Sequence, residues 1–533
     1  MRSRKNAIRT SVNSLVSLNG TCLADLWICQ VFFLLNNQQN GECTMTTEML
    51  PNWLKQRAFL TPDRTAVSSG ERCLTFRELD YEAEEAAQRL NRLLDGKKPA
   101  FIGLMIKNRI ESIIAVHAVQ QLGMAAVMLN HRLGAGELTF QVRDMDLTHV
   151  IHDEDFAEKV KTLDVEGIGL SFLFSGDKRP YAPRHHTNLD DTCTVMYTSG
   201  TTGSPKGVLQ TYGNHWWSAT GSSLNLGTSE KDVWLCAVPL FHISGFSILM
   251  RSIIYGMEVR LHASFDEDVI DLELKSGRVT IISVVTNMLQ RLMGRIGDGY
   301  HENLRCVLLG GGPAPLPLLQ ACKDKGVPVF QSYGMTETSS QIVTLSPEYS
   351  LSKLGSAGKP LFPSQLKIKG ASVPLEDGEI MVKGPNVTMG YHERPEANEK
   401  SFEDGWLFTG DIGYVDEEGF LYVLDRRSDL IISGGENVYP AEVESALLGI
   451  PGVTEAGVIG MDDPVWGQVP CAFLVTDRPM TEKEVMKGCR DALASYKCPK
   501  RIVFVGELPR NASNKLLRRV LKENMLKGTY DEA

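Results

Sequence analysis

From about Ser68 the chain alternates short apolar runs with longer amphipathic stretches. "AFIGLMI", "AAVML" and "THVIH" read as strands, and "TFRELDYEAEEAAQRLNRLL" and "RIESIIAVHAVQQLG" between them read as helices. That rhythm predicts an α/β fold with mostly parallel strands. It continues in "DVWLCAVPL", "VTIISVV", "LRCVLLGGG" and "PVFQSYG", each an apolar run ending in Gly, Pro or a polar residue. Ligands of such sheets bind at the carboxyl ends of the strands, which is where these unusual residues fall. Past Gly355 the texture changes. "GEIMVKGPNV" and "GWLFTGDIGYVDEEGFLYVLDRR" alternate apolar and polar positions around turn signals such as "DEEG", which predicts antiparallel strands and hairpins. "SDLIISGGENVYPAEVESALL" then opens a further small unit. Pro440 suits a first helical position there, and Glu442 and Glu444 suit the first turn. A domain boundary is expected near Arg427–Ser428. There is no internal repeat and no low-complexity tract.

Composition narrows the class. A chain of 533 residues exceeds what one hydrophobic core serves, so two or more domains are expected. The apolar share of 43% and charged share of 23% are those of a soluble globular protein. With Lys+Arg 55 against Asp+Glu 65, the net charge of −10 argues against general nucleic-acid binding, which works by neutralising phosphates. A local basic pocket remains open. The 11 cysteines form no C-x-x-C pair, so neither a zinc site nor a disulfide framework is indicated, and reduced cytosolic thiols are the expectation. The longest membrane candidate, "LWICQVFFLL", falls short of the ~20 apolar residues a span needs. Behind "MRSRKNAIR" it could pass for a signal peptide, but "NNQQNGECT" supplies no small-x-small cleavage site. We expect residues 1–44 to be a mis-assigned start, with Met45 the natural first residue and Gly41-Glu42 the translated trace of a ribosome-binding site. The intact mass of the native protein tests this.

"YTSGTTGSPKGV" (Tyr197–Val208) follows the apolar strand "TVMY" and precedes a helix expected near "GNHWWSATGSSL". Its glycines let several backbone N–H groups converge into an anion-binding nest. Thr198, Ser199, Thr201 and Thr202 add hydroxyl donors, and Lys206 adds a point charge. Such a loop can cradle phosphates, although by composition alone a flexible surface loop is an equal alternative. Its spacing fits neither G-x-x-x-x-G-K-[ST] nor G-x-G-x-x-G.

The stretch resembles the signature loop of the adenylate-forming superfamily, which holds acyl-CoA synthetases, luciferases and peptide-synthetase adenylation domains. Further superfamily motifs follow in order: "QSYGMTET" (Gln331–Thr338), "GWLFTGDIGYVDEEGFLYVLDRRSD" (Gly405–Asp429), "GGENVYPAEVE" (Gly434–Glu444) and "LPRNASNKLLR" (Leu508–Arg518). The likeness covers about Pro51 to the end. Within the superfamily, "TYGNHWWSA", "AVPLFHISGFS", "LLGGGPAPLPLL" and "SYGMTETSSQIVTLSPE" are most similar to CoA ligases that take an aromatic dicarboxylic acid. The resemblance implies a large α/β domain over 45–427, with layered mostly parallel sheets and a small antiparallel β subdomain. A small mobile α+β lid domain would follow over 428–533.

It also implies a chemistry. A carboxylate attacks the α-phosphate of ATP, pyrophosphate leaves, and the acyl-AMP reacts with the thiol of CoA. Catalysis of this kind is mostly positioning and electrostatics, and needs no side-chain nucleophile. By the resemblance, Thr198, Ser199, Gly200, Thr201, Thr202, Gly203 and Lys206 hold the β- and γ-phosphates. Thr336 takes the α-phosphate, and Glu337 holds Mg2+. Asp411 and Arg426 take the ribose, and Gly311, Gly312 and Tyr333 form the adenine slot. Lys515, from the small domain, bridges the substrate carboxylate and α-phosphate. His242, Ser283, Val284, Val285, Thr286 and Gly334 border the acyl pocket. Ser428 and Asp429 form the hinge, and Gly434 and Gly435 frame the CoA tunnel. Taken singly, Asp411 is a turn former, Arg426 a surface charge, Lys515 a solvated lysine and His242 a packed core histidine; the ordered set is what carries the reading. The sequence departs from many superfamily members at Ser428, where they carry aspartate, and at Asn514, where they carry glycine. Both departures concern the hinge and the lysine loop rather than the chemistry.

The alternatives are another acyl- or aryl-CoA ligase (medium-chain or benzoate-type), an amino-acid adenylation domain, a luciferase-like oxygenase, and a non-catalytic ATP-binding regulator. The expected partners are small molecules, namely ATP, the acid and CoA. No nucleic acid or membrane is expected, the setting is cytoplasmic, and a homo-oligomer is left open.

Overall fold

The apolar runs assemble into two large sheets in the computed structural model, which describes residues 48–198, 205–312, 314–426, 429–433, 436–463, 466–493, 495–510 and 516–529. The first sheet orders its strands as Lys206–Thr211, Thr192–Thr198, Ala125–Met128, Phe101–Met105, His149–His152 and Glu166–Gly169. All neighbours are parallel except the first pair, which is antiparallel. The sequence predicted a strand, a loop and then a helix here. A second strand, Lys206–Thr211, comes before the helix Tyr212–Leu226.

The second sheet has a parallel half built from Thr65–Ser69, Glu258–Leu261, Val233–Cys236, Ile281–Val285, Cys306–Gly310 and Val329–Met335. Antiparallel pairing begins at Ser340–Leu345 and continues through Ser356–Pro360, Leu421–Arg426, Trp406–Val415, Gly378–Lys383 and Gln365–Ile368. The antiparallel texture expected past Gly355 is therefore present, and it is hydrogen-bonded into the same sheet as the parallel strands.

Helices cover these sheets for reasons visible in the chain. Phe76–Leu93 starts at a capping box, in which the Glu78 N–H donates to Thr75 Oγ1 (3.2 Å) and the Thr75 N–H to Glu78 Oε2 (2.8 Å). It turns Phe76, Leu79, Ala83, Ala86, Ala87 and Leu90 inward. Ile110–Gln121 is buried at every position but Glu111, which explains why it reads as almost continuously apolar. One core joins these helices to both sheets, with Leu104, Ile113, Trp234, Phe246 and Ile282 among its members.

The C-terminal residues build a core of their own from Ile431, Val443, Leu447, Val458, Leu474 and Val485. Its sheet pairs Glu436–Val438, Ile431–Ser433, Gly467–Thr476 and Val453–Asp463 antiparallel, with Arg501–Phe504 added parallel. Pro440 opens the helix Pro440–Leu448 as expected. Glu442 lies in its first turn, whereas Glu444 accepts from the Val458 N–H (2.8 Å) and pairs with Arg518 (2.7 Å). Among the described residues no helix is long and apolar enough to cross a membrane, and eight described cysteines are free thiols.

Candidate active site

Three neighbouring parallel strands end side by side. Val285 pairs with Gly310, and Leu309 with Gln331, so the segments that follow these strands emerge at one sheet edge. After Val285 comes Thr286, the first residue of the helix Thr286–Met293. After Gly310 come the exposed Gly311 and Gly312, with Gly311 at φ +86°, a conformation side-chain-bearing residues rarely adopt. The third strand runs through Tyr333 and Gly334 into a short 3-10 turn, Thr336–Thr338.

That turn is held from every side. Gln210 Nε2 donates to the Thr336 carbonyl (2.8 Å), Asn386 Nδ2 to the Thr338 carbonyl (3.1 Å) and Ser218 Oγ to the Ser339 carbonyl (2.7 Å). Gln210 is itself fixed by the Thr194 hydroxyl (2.8 Å). The clamping is needed because Ser339 and Ser340 have φ of 54° and 115°, positions costing about 1–3 kcal/mol each that persist only where surroundings over-determine them. Close packing also dictates Gly334, where a Cβ would lie 2.1 Å from the Ser340 carbonyl oxygen.

Glu337 is 5% exposed, and its Oε1 accepts from the Tyr391 hydroxyl at 3.0 Å. The same Tyr391 ring lies under the Lys206 ammonium, 4.9 Å from Nζ to the centroid. Lys206 faces Thr198 across the antiparallel pair, so both ends of the glycine-rich loop are side by side. Asp411 is 7% exposed and accepts from the Tyr333 hydroxyl at 2.8 Å. Arg426 is its register partner on the next strand. The structure thus brings Thr198, Lys206, Glu337 and Thr336 together through strand pairing and side-chain contacts, and places Tyr333 against Asp411 with Arg426 opposite Asp411 in the strand register. The two sets join through the strand Val329–Met335.

The residues expected to border an acyl pocket divide. His242 caps the helix Ile243–Tyr255, with its ring 4.6 Å from that of Phe241. Burial, with the charges of Arg132 and His131 adding to it, pushes His242 down to about 4. Ser283 Oγ accepts from Trp234 Nε1 (3.0 Å), so its hydroxyl serves a core indole. On the helix that His242 caps lies Arg251, 1% exposed, stacked on Trp234 at 5.2 Å and donating to Ser340 Oγ at 3.3 Å. Its Nε has no partner among the described residues, and burial lowers its pKa.

Ser199, Gly200, Thr201, Thr202, Gly203, Ser428, Gly434, Gly435 and Lys515 lie outside the described residues, as do residues 1–44. Their neighbours are described. Ser433 pairs with Glu436, and Arg510 bridges to Leu516, on either side of Gly434–Gly435 and of Lys515 respectively. Asp429 accepts from Arg518 at 3.2 Å.

Gln210, Tyr391, Arg251, Ser218 and Asn386 are the residues that sequence reasoning passed over. Gln210 left one signal, a polar side chain inside the buried strand "KGVLQT". Tyr391 left none, because its importance lies in two contacts far away in the chain.

A lysine at the root of a glycine-rich segment, buried carboxylates and an aromatic ring at strand ends point to a class, and the chain belongs to it: it is a member of the AMP-binding enzyme family, whose model matches residues 54–392, with the AMP-binding enzyme C-terminal domain matching 442–515. Among individual relatives, the 2-succinylbenzoate–CoA ligase of Geobacillus kaustophilus is 56% identical over 486 residues, covering 90% of this chain and 98% of that protein. The o-succinylbenzoate CoA synthetase of Bacillus subtilis in complex with its acyl-adenylate intermediate superposes with a TM-score of 0.86 at 51% identity, covering 89% of this chain and 98% of that one. The same synthetase in complex with ATP and magnesium ion gives a TM-score of 0.85 at 51% identity, covering 89% and 100%.

Proposed function

We propose that this chain adenylates 2-succinylbenzoate and transfers the acyl group to coenzyme A, giving 2-succinylbenzoyl-CoA, AMP and diphosphate in menaquinone biosynthesis. The observation that carries the reading is the match, at half or more of all positions and over nearly the full length of both partners, to ligases of this one acid. ATP, the acid and CoA are its small-molecule substrates, and we place it in the cytoplasm, where ATP and CoA are supplied.

Hydroxide leaves a carboxylate too poorly for a thiol to displace it, so the acid is first joined to AMP. Lys206 and the loop from Thr198 grip the departing pyrophosphate, while Thr336 and Lys515 face the α-phosphate, where negative charge gathers. Asp411, an acceptor-only carboxylate, suits the vicinal ribose diol, with Arg426 beside it. Tyr333 and the bare backbone at Gly311–Gly312 receive the flat base. The donor set fits magnesium: among the described residues no three His, Cys, Asp or Glu converge on one point, and a single buried carboxylate completed by substrate phosphates is a usual Mg2+ arrangement. Glu337 would hold that ion, which when bound neutralises phosphate charge. His242 stays neutral at pH 7 beside the acyl pocket. We infer that the second carboxylate of the acid finds its counter-charge in Arg251, a buried cation that donates to the Ser340 hydroxyl and stacks on Trp234. Rotation of residues 428–533 about Ser428–Asp429 then withdraws Lys515 and brings Gly434 and Gly435 to the pantetheine path.

A panel of carboxylic acids assayed for CoA-dependent AMP formation tests the assignment. Fastest turnover is expected with 2-succinylbenzoate. Faster turnover of benzoates or fatty acids would overturn it.

A further inference from the structure

Tyr391 makes side-chain contacts to both charged groups assigned to the phosphates and their metal. Its hydroxyl donates to Glu337 Oε1 (3.0 Å), and its ring face carries the Lys206 ammonium (4.9 Å). The residue is 8% exposed and its backbone is fixed, with its N–H donating to Asn398 Oδ1 (2.8 Å) and its carbonyl accepting from Asn398 Nδ2 (3.0 Å). Three further contacts fasten its segment to the strand that begins at Lys206. Val208 bridges to Tyr391, the His392 N–H donates to the Gly207 carbonyl (2.8 Å), and the Leu209 N–H donates to the Gly390 carbonyl (3.1 Å). On the other side the Thr388 N–H donates to the Glu337 carbonyl (2.8 Å), so the segment 388–392 spans both partners.

We infer that Tyr391 is a positioning residue with two separable duties: its hydroxyl aims the Glu337 carboxylate at the metal, and its ring seats the Lys206 ammonium for the terminal phosphates. The inference rests on the adenylation reading above. The duties divide by chemistry. A phenol O–H aimed at a carboxylate fixes that group's rotamer and spreads its charge. An aromatic face attracts a cation without neutralising it, which leaves the lysine able to bind phosphate. No carboxylate needs to stand beside Lys206 and compete with the nucleotide.

Tyr391→Phe removes the hydroxyl and keeps the ring, whereas Tyr391→Leu removes both. Two binding measurements on the full chain read the duties apart: ATP affinity by calorimetry without divalent metal, and Mn2+ affinity by electron paramagnetic resonance with α,β-methylene-ATP present. For Tyr391→Phe we expect Mn2+ affinity to fall about tenfold, the loss from one hydrogen bond to a charged group, with metal-free ATP affinity held within about twofold. Tyr391→Leu is expected to weaken both. Glu337→Gln provides a cycle that does not depend on the leucine variant folding: combined with Tyr391→Phe, it is expected to cost no more Mn2+ affinity than Glu337→Gln alone. Unchanged Mn2+ affinity in Tyr391→Phe, equal loss of metal-free ATP binding in both tyrosine variants, or additive losses in the cycle would overturn the inference. A wild-type chain that bound neither ATP nor Mn2+ would instead overturn the adenylation reading itself.

Discussion

A methyl group is too large for position 334. Its Cβ would lie 2.1 Å from the Ser340 carbonyl oxygen, which belongs to the backbone of a clamped turn and has nowhere to go. Gly334→Ala is therefore expected to lose about 1–3 kcal/mol in urea unfolding. Gly506→Ala, where an added Cβ meets nothing within 4 Å, is expected to stay within about 0.5 kcal/mol of the parent. Equal stability of the two variants would contradict the packing described. Buried histidines make a second prediction at this scale. Burial pushes His117, His131 and His242 down to about 4 and His215 to about 3, from an ordinary 6.5. The unfolded chain takes up protons below 6.5 while the folded chain does not, so this contribution to stability is complete above pH 6.5 and is lost as pH falls toward 4. Calorimetric unfolding at pH 5 in buffers of different ionisation enthalpy is expected to show uptake of about three to four protons from these groups. No net uptake would count against their neutral burial.

The hairpin Thr192–Thr198 and Lys206–Thr211 is anchored at its loop end by Asp144. This carboxylate accepts from the Tyr197 hydroxyl (2.6 Å) and pairs with Arg394, three residues beyond Tyr391. Asp144→Ala frees the loop's root and the 391–394 segment together. It is expected to cost about 2 kcal/mol of stability and to raise KM for ATP more than it lowers kcat; an unchanged KM for ATP would separate this anchor from nucleotide binding. The elements of this region were unequally legible. "TVMY" and "VTIISVV" announce themselves because strands covered on both faces must be apolar throughout. "KGVLQT" does not, because it carries a lysine for the loop, a glycine, and a glutamine whose amide is spent on the Thr336 turn. The glycine-rich loop, Thr336, Glu337 and Asp411 were readable as motif residues. Tyr391, Arg251 and Asn386 were not, since what they do depends on contacts made across the fold, for which local sequence has no signature. For the same reason the antiparallel character past Gly355 was visible in alternation, while its merger with the parallel sheet through Ser340–Leu345 and Ser356–Pro360 was not.

At the scale of the whole molecule, the C-terminal residues form a smaller unit with its own core, and we propose that this unit presents Lys515 to the adenylating surface. The Tyr439 hydroxyl donates to Asp377, just before the strand Gly378–Lys383 of the large sheet (2.5 Å), and Arg518 ties Asp429 to Glu444 within the smaller unit. We propose that the smaller unit turns as a body about residues 428–429, breaking the Tyr439–Asp377 contact while its own ion pairs stay intact, as two half-reactions at one site demand. We propose that charge on the α-phosphate is met by a lysine carried on that unit, in the first half-reaction only. It is tested most directly by comparing Lys515→Ala with the parent in two assays: 2-succinylbenzoate-dependent pyrophosphate exchange into ATP, and CoA thioester formation from supplied acyl-AMP. Lys515→Ala is expected to lose exchange ~10²–10³-fold, the usual effect of removing one strong electrostatic contact, with thioester formation at the parental rate. Undiminished exchange, or equal loss in both assays, would contradict it.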